Sequence, residues 1–98
     1  MRVTLLGKEH NLNFKRYSNN NINITAKPTK GGRSVSVTSN TIMRLDDDAI
    51  ALRDSKNMID ELITAKVIKG EYHSEVSEAG NKMLIYKLTN FCIKNKGE

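Results

Sequence analysis

Short runs that alternate apolar and polar residues fill the first forty positions, and they read as strands. "VTLL", Val3 to Leu6, is an apolar run stopped by Gly7. In "LNFKRY", Leu12, Phe14 and Arg16 alternate with Asn13, Lys15 and Tyr17, which turns Leu and Phe inward. Ser18 to Asn21 reads as a turn, because Asn tolerates positive φ and bonds its own backbone. Ile22, Ile24 and Ala26 alternate with Asn23 and Thr25, and Val35 and Val37 alternate with Ser34, Ser36 and Thr38. Two such runs around Gly31-Gly32 predict a hairpin turning through "KPTKGGR", residues 27–33.

The pattern then changes. "TIMRLDDDAIALRD" allows a strand over "AIALR" after an Asp turn. It also allows a short helix over 47–52 capped by Asp46, with acids at the positive end of the helix dipole. The balance favours the helical turn. From Asp54 onward the spacing is helical: Met58, Ile59, Leu62, Ile63 and Ala65 form a wide apolar stripe. With Asp54 or Ser55 as cap and Gly70 near the stop, a helix is predicted over about 55–68. "EYHSEV" and "KMLIYKL", joined by "SEAGN", predict a second hairpin, and the tail 94–98 is expected to fray. No repeat or long linker interrupts the chain. The expectation is one α+β domain over 1–98, a small antiparallel sheet of hairpins with one main helix (about 55–68) packed on it.

The segment "MIDELITAKVIKGEYHSEV…KMLIYKLT" resembles the last helix and wing of winged-helix DNA-binding domains. A helix ends in Ala-Lys-Val-Ile, a hairpin follows, and a returning strand closes on Tyr-x-Leu-Thr. The resemblance covers roughly a third of the chain and implies a winged-helix-like C-terminal half as the alternative fold. Two features depart from it. Residues 1–44 supply no first helix, and the helix that would enter DNA balances Lys56 and Lys66 with Asp60 and Glu61.

Composition narrows the function. The 98 residues are 38% apolar, enough for one modest core. Five aromatics and no Trp make a thin base-stacking platform. The lone Cys92 rules out an internal disulfide framework, and no leader-like segment opens the chain, so a reducing, cytoplasmic setting is expected. No run approaches the roughly 18 apolar residues of a membrane span.

Charge is divided unevenly. Residues 1–44 hold eight Lys/Arg against one acid, Glu9, whereas residues 45–98 hold eight against ten. That asymmetry points the N-terminal half towards an anionic partner. In "KPTKGGR" the glycines answer the needs of a turn, but three cations do not. With Lys15 and Arg16 one strand earlier, Lys27, Lys30 and Arg33 are the candidate binding residues, since cations and bared N–H groups suit phosphates.

Nothing else carries chemistry. Glu71, His73 and Glu75 would share one strand face, which reads as a polar solvent face rather than a metal site. Asp46, Asp47 and Asp48 diverge as consecutive residues and suit capping or a turn. Cys92 lies on an apolar stretch without a partner thiol, and neither a nucleophile elbow nor a Walker loop occurs. The chain is therefore expected to be non-enzymatic, without metal or cofactor. It reads as a nucleic-acid-binding or regulatory module, monomeric or homodimeric. Richness in Asn, Lys and Ile is common in AT-rich genomes. It suggests the alternative of a phage or mobile-element protein that inhibits a host or defence complex, its partner being acidic or nucleic-acid-binding.

Overall fold

Alternation along the N-terminal half produces four strands in a computed structural model that describes residues 1–95. β1 (Arg2–Leu5), β2 (Lys8–Arg16), β3 (Ile22–Pro28) and β4 (Val35–Ser36) pair antiparallel in that order. Val3, Leu5, Leu12, Ile22, Ile24 and Ala26 bury one face, and Leu12 pairs with Ala26 and Phe14 with Ile24. The β1–β2 connection is the two-residue turn Leu6-Gly7, both at positive φ (54° and 75°), which suits the twist of a hairpin. Leu6 therefore leaves the predicted strand and stands exposed.

The predicted strand over 34–38 is cut short by a bulge. Val37 and Thr38 both donate their N–H groups to Ile24 O (2.9 and 3.4 Å), so two residues oppose one. The hydroxyl of Thr38 accepts the N–H of Ile24 (3.0 Å) in place of a ladder carbonyl. Released from β3, the chain reaches Ser39, whose N–H bonds Ala51 O (2.8 Å) in the second sheet.

That sheet is β5 (Ala49–Arg53), β7 (Asn81–Lys87) and β6 (Ser74–Glu78), antiparallel in the order β5-β7-β6. The expected helical turn over 47–52 is overturned, because Ala49 to Leu52 form β5 with all four side chains buried. One face of the sheet sends Ile50, Leu52, Leu84 and Tyr86 into the main core. The other sends Ala49, Ala51, Met83 and Ile85 into a smaller cluster covered by Leu45 and Val76. Burial on both faces overrides the helical preference of Ala and Leu. The second predicted hairpin forms with shifted bounds. β6 starts at Ser74, so Glu71 and His73 lie outside the strand expected to align them with Glu75. Ser77, Glu78 and Asn81 pair, which leaves Ala79-Gly80 as the turn.

α1 (Lys56–Thr64) joins β5 to β6 and buries Ile59 and Leu62, and α2 (Asn90–Asn95) follows β7. The helix expected to reach Ile68 stops earlier. Lys66 adopts φ 60°, its N–H bonds Ile63 O (3.0 Å), and the N–H of Val67 bonds Leu62 O (2.9 Å). This is a Schellman stop, sealed by Val67 and Leu62 inside the core. Ile68 then pairs with Leu88 as an isolated bridge. Of the tail 94–98, Lys94 and Asn95 lie in α2, and 96–98 lie outside the described residues.

The molecule is a small α+β fold with two antiparallel sheets and few helices. A helix-then-hairpin order is present in α1, β6 and β7, but four strands and no helix precede β5 among the described residues. The winged-helix-like arrangement is not confirmed.

A left-handed Lys66 is strained where Gly is not. Lys66→Gly should stabilise the fold by about 0.5–1 kcal/mol, read as a rise of a few degrees in thermal melting.

Candidate nucleic-acid interface

Register in the first sheet sorts the candidate cations by face. Asn11 pairs with both Arg2 and Lys27, so Arg2, Asn11 and Lys27 form one row across β1, β2 and β3 on the solvent face. Lys15, paired with Asn23, lies on that same face about 13 Å farther along β2. Asn13, Thr25 and Ser36 form the row between them. Arg16 points to the opposite side, paired with Ile22, and its guanidinium donates to Asn20 O (3.0 Å).

Lys30 and Arg33 belong to the connection between β3 and β4, residues 29–34, which is longer than a tight hairpin turn. Thr29 still pairs with β2 through Glu9 O (3.1 Å), and the chain then turns through Gly31 (φ 88°) and Gly32 (φ 120°). A side chain at either glycine is strained by those angles, not by crowding, since Gly31 has open space around it. Lys27, Lys30 and Arg33 are all exposed. Among the described residues, no carboxylate lies within ion-pair distance of Lys15, Lys27, Lys30 or Arg33. Glu9, the acid of this face, stands diagonal to Arg2 at the β1 edge.

Three other cations among the described residues are paired. Lys87 donates to Asp46 (2.6 Å) and Asp48 (3.0 Å), Arg44 pairs with Asp47 (2.9 Å), and Lys82 lies between Asp54 and Glu75 (3.5 and 3.6 Å). The three consecutive aspartates form a turn, with Asp46 O accepting the N–H of Ala49, and their side chains neutralise neighbouring cations. Hydrogen bonding from Lys87 holds the Asp46 carboxyl below its usual range, and bonds to Asp46 and Asp48 raise Lys87. Around Lys82 the carboxylates of Glu75 and Asp54 act likewise. No group of three His, Cys, Asp or Glu able to hold a metal occurs among the described residues. No helix among them is long and apolar enough to cross a membrane.

Sequence reasoning read Asn21 as a turn residue and missed its larger role. Its buried amide donates to Met43 O (2.8 Å), Thr41 O (3.4 Å) and Asn40 Oδ1 (3.3 Å). Its oxygen accepts from Leu45 N (2.8 Å) and Arg44 (3.5 Å). Asn19 adds a bond to Thr41 O (2.7 Å), and Glu78 accepts from the hydroxyl of Thr41 and from Ile42 N. The loop is fixed from beneath, with Ile42 89% and Met43 53% exposed on top. In an Asn-rich stretch nothing distinguishes Asn21 from its neighbours except this tertiary partnership.

Comparison with protein-family models, curated proteins and solved structures found no match to the chain.

Asn21→Ala removes the partners of Met43 O and Leu45 N, while Thr41 O keeps its bond from Asn19, and should cost about 1–3 kcal/mol in urea unfolding. Asn23→Ala, on the solvent face, should stay within about 0.5 kcal/mol. Because Asp46 titrates low when folded, its pairing with Lys87 contributes above the ordinary carboxylate pKa and is lost as pH falls through the lowered value. The stability difference between wild type and Lys87→Met should therefore narrow on acidification below about pH 4.

Proposed function

We propose that the chain is a small, non-enzymatic nucleic-acid-binding module, working in the cytoplasm, that holds duplex backbones through the outer face of its first sheet. The observation that carries this reading is charge that nothing in the fold answers. Lys15 and Lys27 share the outer face of the first sheet, Lys30 and Arg33 stand exposed on the loop that follows β3, and none of the four has an ion-pair partner among the described residues. Lys82 and Arg44, also exposed, are neutralised locally. Arg53, Lys56, Lys66, Lys69 and Lys94 likewise have no ion pair among the described residues, so it is the clustering on one sheet and its loop that supports the reading. Amide and hydroxyl side chains between the cations supply phosphate-contacting donors, and Tyr17, the aromatic next in the row after Lys15, is half-buried with its hydroxyl bonded to Thr38. Binding of this kind is insensitive to sequence and favours the regular backbone of a duplex.

Four phosphate-neutralising cations give a salt slope of about −3.6, a fall of roughly 150-fold in affinity between 50 and 200 mM salt. Fluorescence anisotropy with duplex and single-stranded probes measures it. The combined variant Lys27→Ala, Lys30→Ala and Arg33→Ala should reduce the slope to about −0.9. Arg16→Ala, on the opposite face, should leave it unchanged. A slope near zero for the wild type overturns the reading.

The alternative, a phage or mobile-element protein that inhibits a host or defence complex, has its own support. Ile42 and Met43 stand on a loop braced by Asn21, Asn19 and Glu78. Pre-ordered apolar anchors of this kind serve protein recognition. Salt-insensitive capture of a protein partner, lost in Ile42→Asp, would favour it.

A further inference from the structure

The first sheet ends on an unpaired edge. The N–H of Leu12 bonds Met1 O (2.8 Å), and Arg2 pairs with Asn11, so residues 1, 3 and 5 exchange bonds with β2 while Arg2 and Thr4 turn their backbone groups away. Leu6 continues that outward row, and Glu61 Oε1 takes its N–H (3.1 Å). No hydrogen bond from the outward N–H of Arg2 or Thr4 occurs among the described residues. A cleft of about 560 Å³ lies along the edge, between Arg2, Val3 and Thr4 on one side and Thr64, Ala65 and Phe91 on the other. It leaves room for one more strand.

We propose that this edge pairs with the β1 edge of a second copy, joining two sheets into one of eight strands. Antiparallel pairing about a twofold axis at Val3 sets Arg2 opposite Thr4 of the other copy, and Thr4 opposite its Arg2. Both outward residues then exchange N–H and C=O bonds. The charges select this register. Thr4 pairs with Glu9 inside each chain, so Arg2 faces, across Thr4 of the other copy, that copy's Glu9. Two strand spacings are about 10 Å, within the joint reach of Arg and Glu side chains. Glu9 is the one acid among residues 1–44, and it has no ion-pair partner among the described residues. The dyad pairs it with Arg2 twice. A strand partner from another protein shares the backbone bonds but has no reason to answer Arg2 and Glu9 together.

The test is sedimentation of nucleic-acid-free protein over a wide concentration range. The expected result is reversible association from 11.0 kDa to twice that mass. Thr4→Pro removes an outward N–H that β2 does not use, and should weaken association at least about tenfold while leaving the sheet signal in circular dichroism. Arg2→Glu and Glu9→Arg should each weaken it about fivefold to tenfold, and the double swap should restore it. Lys27→Ala with Lys30→Ala and Arg33→Ala should leave it unaltered, which separates this proposal from the phosphate-binding reading. A chain that stays monomeric at every concentration overturns the proposal. So does a dimer indifferent to Thr4→Pro, or a charge swap without rescue.

Discussion

The architecture depends on one irregularity, the bulge at which Val37 and Thr38 both bond Ile24 O. Without it β4 would continue along β3 and the first sheet would lengthen. With it the chain leaves the sheet and Ser39 pairs with Ala51. The Thr38 hydroxyl satisfies the N–H of Ile24, and the Tyr17 hydroxyl bonds Thr38 (3.1–3.2 Å), so the departure leaves no buried ladder group unpaired. A strand that changes sheets at a bulge sets two sheets face to face over a shared core. Ile24 and Ile50 join the same cluster for this reason.

Beyond the bulge, the crossing segment is held by side chains rather than by a ladder. Asn21 receives and gives five bonds along residues 40–45 from a position with 2% exposure. That anchorage lets Leu45 lie over the outer face of the second sheet, which is why β5 and β7 are buried on both sides. It also explains how Ile42 and Met43 remain ordered while facing solvent. A fully satisfied buried amide specifies one arrangement, because every alternative strands polar groups.

Charge follows the same division of labour. Carboxylates of the second sheet and its approach loop clamp Lys82, Lys87 and Arg44. The first sheet has almost none to offer, so its outward cations stay uncompensated.

The sequence by itself determined the strands and their facing. Period-2 alternation at Leu12, Phe14, Ile22, Ile24 and Ala26 has one solution on a half-buried sheet, and Lys15 and Arg16 had to part to opposite faces. It also carried the charge asymmetry and the apolar stripe of α1. Only the tertiary structure decided whether Ala49 to Leu52 became strand or helix, because an unbroken apolar run is silent on period until both its faces are covered. The stop of α1 at Lys66 was likewise invisible. A Lys at positive φ is a poor local choice, tolerated since Val67 and Leu62 gain burial by it. The sheet switch at Val37 and Thr38 and the hub at Asn21 are of the same kind. The last two are local exceptions held in place by contacts more than a dozen residues away, and local patterns hold no record of such contacts.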